Sequence, residues 1–171
     1  TNINKINFNN IKSDALDSDF SNLKINNIIC KDIGNDCFDV SFSNGEIKNF
    51  FSSKVLDKAL SIGENSSIKV NDIYILDSEL GIVAKDSSRL IVNNLKIEST
   101  KVPISLFIKK TEFKNPYLEV NNPINKKILK SSLISYDSFF KVGKKIISGD
   151  MSSKDIKNSL YGNLYGVKTK R

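Results

Sequence analysis

Apolar and polar residues alternate along the first two thirds of the chain, and the alternation itself recurs. Leu16, Ser18 and Phe20 read as one side of a strand, with Asp17 and Asp19 on the other. Phe38, Val40 and Phe42 oppose Asp39 and Ser41 in the same way. Ile68 and Val70, Ile73 and Ile75, Leu90 and Val92, then Leu95 and Ile97 continue the pattern. A period of two predicts strands with one buried face. The Val, Ile, Phe and Tyr that fill the inward positions suit a pleated surface.

The strands fall into units of constant length. Ala15, Cys37, Ala59, Gly81 and Pro103 follow one another at a step of 22. Each is followed by a large apolar residue: Leu16, Phe38, Leu60, Ile82 and Ile104. A unit this short cannot bury a core alone, so it must stack on its neighbours. The five large residues are therefore expected to form one continuous buried stack. A second set of columns agrees. Ile25-Asn26-Asn27-Ile28, Val70-Asn71-Asp72-Ile73 and Val92-Asn93-Asn94-Leu95 share one pattern, with irregular versions at Phe8 and Val120. Asn tolerates unusual backbone and bonds locally, which suits bends. Stacked one strand spacing apart, Asn side chains can also bond as a ladder. A leucine-rich repeat has a similar length, but its fixed Leu and Asn pattern is absent.

Two stretches, DALDSDFSNLKINNIICKDIGNDCFDVSFSNGEIKNF and DKALSIGENSSIKVNDIYILDSELGIVAKDSSRLIVNNLKIES, carry these columns. In them the chain resembles right-handed parallel β-helix repeat proteins of the pectate-lyase-like superfamily. The resemblance covers residues 1–125 and implies an all-β solenoid of about six coils. It implies little about chemistry, because that fold serves lyases, epimerases, hydrolases and noncatalytic surface proteins. Residues 126–171 read as a C-terminal cap. Gly143-Lys144 between apolar residues predicts a hairpin, and Ser152 or Ser153 before Ile156–Leu160 predicts a capped helix. Tyr161-Gly162 is echoed by Tyr165-Gly166, and Gly166 to Arg171 reads as a basic tail.

Charge divides the chain at the same place. Residues 1–100 carry 11 basic and 14 acidic side chains; residues 101–171 carry 15 and 5, within a total of +7. Lys109-Lys110, Lys126-Lys127-Lys130, Lys141-Lys144-Lys145 and Lys168-Lys170-Arg171 make an acidic polysaccharide an expected partner. No recognition motif accompanies the charge, so nucleic acid is not expected. No apolar run is long enough to span a membrane. A chain beginning at Thr1 is expected to continue from upstream domains of a longer extracellular or cell-surface protein. Cys30 and Cys37 are too few for a disulfide framework. Buried free thiols are the preferred reading, and a 30–37 bridge stays open.

Asp17 and Asp39 share a column in adjacent coils, about 4.8 Å apart, and Asp19 follows on the same side. Three carboxylates on a rigid sheet are a candidate Ca²⁺ site; no other cofactor is expected. Lyases of the superfamily hold Ca²⁺ in this manner and use a basic side chain as base. Lys85 and Arg89 lie in later coils and are read as ligand-binding residues, with Lys85 three coils from Asp19, roughly 14 Å, a distance a bound sugar could bridge. The competing reading is that the aspartates only mark the repeat. Phe113 and Tyr117 lie where the fifth coil is six residues longer, and they read as sugar-stacking residues or as core plugs. The chain contains no His, and no phosphate-binding Gly loop. A noncatalytic stalk or polysaccharide-binding module is therefore the expected role, with a lyase or epimerase fragment as the alternative.

Overall fold

The computed structural model describes residues 1–162; Tyr165-Gly166 and the Lys168, Lys170 and Arg171 tail lie outside the described residues. The chain forms a parallel β-solenoid. Strands β1 (Asn2–Ile11), β3 (Asn22–Ile33), β5 (Asn44–Ile62), β6 (Ser67–Lys85) and β7 (Arg89–Glu98) stack in parallel register, one coil above the next. The shorter β2 (Leu16–Asp19), β4 (Phe38–Ser41) and β8 (Val102–Phe107) join the same stack.

Each coil has three sides because the rung pairing breaks at fixed columns. Pairing skips Asn4, Asn26, Lys48, Asn71 and Asn93. It skips again at Asn10, Asp32, Lys54, Asp77 and Ser99, whose φ angles lie between +50° and +57°. The third corner holds Phe20, Phe42, Asn65 and Ser87, with φ between +50° and +62°. Left-handed backbone turns the chain sharply, and short polar residues fill most of these positions. The Asn columns do both jobs expected of them. They mark a corner, and their amides bond between coils. Asn26 donates to Asn4 at 2.9 Å, Asn49 to Asn27 at 2.9 Å, and Asn93 to Asn71 at 2.8 Å.

The core lies inside the coils. Register places Leu16 on Phe38, Phe38 on Leu60, Leu60 on Ile82 and Ile82 on Ile104. The last four are fully buried, and Leu16 packs against them. Gly81 precedes this stack at a close approach: a Cβ there would meet the Pro103 carbonyl oxygen at 2.3 Å.

Two expectations change. Phe20 and Phe42 are not inward. Positive φ at both corners rotates them outward, leaving Phe20 78% exposed. The cysteines are not free thiols, since Cys30 and Cys37 form a disulfide. It joins β3 to the residue just before β4, across a corner and seven residues on.

The C-terminal part contains the expected hairpin and capped helix. After β9 (Tyr117–Val120), a helix α1 (Lys126–Lys130) capped by Asn125 takes the place of a strand. β10 (Leu133–Ile134) then pairs with β8, and β11 (Phe139–Val142) pairs with β9. The hairpin at Gly143 turns β11 into antiparallel β12 (Lys145–Ile147), which ends the rungs on that side. Helix α2 (Ser153–Leu160), capped by Ser152, comes last. It lies along the outside of the side formed by β2, β4 and β8, packing Ile156 and Leu160 on Leu80, Val83, Val102 and Phe107.

Candidate functional site

The outer surface of that third side is built from three columns. The first runs Asp14, Asp36, Lys58, Leu80 and Val102. The second runs Asp17, Asp39, Ser61, Val83 and Ser105. The third contains Asp19, Ser41, Gly63, Lys85 and Phe107. The first and third columns pass from polar at the first coils to apolar at the last, and the second passes from acidic to uncharged. The apolar end lies under α2. Between the two ends, charged side chains are buried beneath Tyr161 and the loop after β8.

Lys58 and Asp36 are adjacent rung partners, and both are nearly inaccessible. The Lys58 Nζ stands 3.2 and 3.3 Å from the two Asp36 carboxylate oxygens and 2.8 Å from Asp57. Burial pushes the Asp36 carboxyl up to about 6, against the opposing pull of Lys58. One coil on, Lys85 is 4% exposed. Its Nζ donates to Ser61 Oγ at 3.0 Å and stands 3.9 Å from Asp39 Oδ1. Lys85 shares the Asp19 column as expected, but its side chain turns to the Asp39 column.

The long loop of the fifth coil reaches back along the axis. Asp86 Oδ1 accepts from the backbone N–H groups of Lys109 and Lys110 at 2.7 and 2.9 Å. The Lys110 ammonium then meets Glu64 at 2.6 Å. Burial works to raise the Glu64 carboxyl, but bonds from Lys110 and Ser41 outweigh it and hold the group down at about 2. Lys109 lies 4.8 Å from the Tyr161 ring centroid, a cation–π distance. Burial, with Lys85 and Lys58 nearby, lowers its pKa.

The open end of the surface carries Asp17 and Asp19, both exposed, beside partly covered Asp39. Asp17 is pushed up by partial burial and by repulsion from Asp19, Asp39 and Asp14. The cation nearest Asp39 is the Lys85 ammonium. Among the described residues, no group of three or more acidic, Cys or His side chains is placed to hold a metal ion.

Next to these aspartates runs an aromatic row that the alternation rule concealed. Phe20 and Phe42 stack with ring centroids 4.9 Å apart and planes 5° from parallel. Phe113, carried by the long loop, adds a tilted ring 6.2 Å from Phe42. The only hint of this in the sequence was the 22-residue spacing of two Phe residues at a corner.

The remaining expected ligand residues form a separate stack. The Arg89 guanidinium lies 3.9 Å over the Tyr117 ring, and Tyr117 stacks on Phe139 at 4.6 Å. Arg89, Tyr117 and Phe139 occupy one column at the start of successive coils. The residues named from sequence therefore divide into three places: Lys85 with Asp39, Phe113 with Phe42, and Arg89 with Tyr117.

The basic third is not one continuous charge patch. Lys110 is taken up by Glu64 and Lys141 by Glu119 at 2.6 Å, whereas Lys126, Lys127, Lys130, Lys144 and Lys145 are exposed. Among the described residues no helix is long and apolar enough to cross a membrane.

Comparison with family models, with characterised proteins and with solved structures yields no match, so the likeness to β-helix proteins rests on the repeat and the fold.

Proposed function

We propose that this protein is a noncatalytic, extracellular or cell-surface solenoid that holds a polysaccharide against its aromatic corner. The observation that carries the reading is the exposed, parallel Phe20–Phe42 stack, extended by Phe113. Two large apolar rings cost free energy in water unless a partner covers them, and sugar rings present C–H faces that stack on such surfaces. Asp17, Asp19 and Asp39 beside the stack supply acceptors for sugar hydroxyls. They also repel carboxylates, which moves the preferred ligand from an acidic to a neutral glycan. The Cys30–Cys37 disulfide supports an oxidising compartment. The burial of Lys85 supports binding over lyase turnover, because a base must reach the proton it removes.

The test is affinity electrophoresis through neutral and acidic polysaccharides. Retardation by a neutral polymer, lost in Phe20→Ala with Phe42→Ala, is expected. Truncating an exposed stacking pair costs about 1 kcal/mol or somewhat more, roughly a tenfold loss of affinity. Equal retardation of the double variant removes the aromatic corner from the reading. Retardation by polyuronates alone moves binding to the lysine-rich end.

A further inference from the structure

The buried Lys58, Asp36 and Asp57 cluster takes no part in glycan binding as described above, and its geometry is that of a reaction site within the chain. We propose that Lys58 and Asp36 join through an isopeptide amide that cross-links the second and third coils, with Asp57 relaying the protons. Three observations support this. The nucleophile and electrophile are held together: Lys58 Nζ lies 3.2 and 3.3 Å from the Asp36 oxygens. The electrophile is fixed, because Asp36 Oδ1 also accepts the backbone N–H of Lys58 at 3.0 Å. A second carboxylate, Asp57 Oδ2, sits 2.8 Å from the same nitrogen.

The setting is dry. Lys58 and Asp36 side chains are 8% and 5% exposed, and Asp57 15%. The Tyr161 ring lies 5.8 Å from the ammonium. The Lys54–Asp32 pair on an outer corner is by contrast open to water, at 65% and 51%. Burying two charges strips them of hydration that their mutual attraction only partly replaces. Low dielectric favours a neutral amine and carboxylic acid over the ion pair, and the amide removes both charges. Proximity of this kind converts a difficult bimolecular condensation into a unimolecular one.

The step balances without any further reagent. One Nζ proton passes to an Asp36 oxygen, leaving a neutral amine beside a protonated carboxyl. The nitrogen lone pair attacks Asp36 Cγ and the C–N bond forms. Asp57 takes a second proton from nitrogen and gives it to the departing hydroxyl. The C–O bond breaks, one water leaves, and Asp57 ends in its starting state. Burial favours the protonated Asp36 form. Burial also pulls Lys58 down, but Asp36 and Asp57 outweigh it and hold the ammonium protonated. Bond formation is therefore a slow, single event of maturation rather than a turnover.

The experiment is the mass of the purified full chain after reduction and denaturation. The expected result is a mass one water below that of the reduced sequence, with a branched proteolytic peptide containing both Asp36 and Lys58. Asp57→Ala and Lys58→Gln should each restore the full mass expected of their sequences. Asp36→Asn keeps the electrophile and releases ammonia, so it should reach the same cross-linked mass as the wild type. A wild-type chain at full mass overturns the proposal whether or not any variant folds. So does a water deficit that persists in Lys58→Gln, which would place the dehydration elsewhere.

Discussion

Two columns of the third side are neighbours in sequence and opposites in character. Leu16, Phe38, Leu60, Ile82 and Ile104 face the interior and are apolar from end to end. Asp17, Asp39, Ser61, Val83 and Ser105 face outward and change from acidic to uncharged along the same axis. The inner column is uniform because every coil meets the same environment, another coil. The outer column varies because its environment does: solvent at the first coils, the long loop in the middle, α2 at the end. Conversely, the change in outward polarity along a repeat marks where other parts of the chain are laid on the solenoid.

The comparison breaks most severely inside. Leu60→Asp places a charge in the middle of the stack with no partner, a cost of several kcal/mol. The expected outcome is loss of the cooperative unfolding transition followed by circular dichroism. A folded Leu60→Asp protein would mean the stack is not the core.

The same change one column over should have a smaller and different effect. Val83→Asp faces Ile156 and Leu160 rather than the coils. It is expected to cost about 1–3 kcal/mol and to release α2 while the coils stay folded. Hydrogen exchange reads this directly. Protection should fall across residues 153–160 and persist across 67–76, and a uniform loss of protection would contradict the division into coil and cover.

The smallest expected effect is one of pH. Glu64 falls from an ordinary value of 4.5 to about 2 when Lys110 and Ser41 bond it. A depressed carboxylate contributes stability that is complete above its unfolded pKa and lost as pH falls through its folded one. The anchor of the long loop should thus weaken between about pH 4.5 and 2. The loss is about 1–2 kcal/mol after allowance for solvent screening. Proteolysis of the 108–115 loop by an acid-active protease should accelerate over that window in the wild type. In Glu64→Gln it should already be fast at pH 5. An unchanged rate in Glu64→Gln would show that Asp86 alone holds the loop.

The periodic features were legible because each repeats under one physical constraint. Leu60 could be placed in a stack without coordinates, since four equivalent residues at the same step must bury the same face. The Asn ladders were readable for the same reason. Phe20 and Phe42 escape the alternation rule because it assumes extended backbone, and their own positive φ turns their side chains outward. The Cys30–Cys37 bridge was one of two readings because seven residues of separation does not say whether a corner brings the ends together.

The coil is written in the residue pattern: its period, its inner column and the Asp17–Asp39 register all follow from strand spacing and burial. Only the tertiary structure decided what lies over the coil. The reach of Lys110 to Glu64 and the burial of Lys58 under Tyr161 join segments 46 and 103 residues apart. No period connects those segments. Their meeting depends on the shape of one nonrepeating loop and one amphipathic helix, which local pattern does not encode.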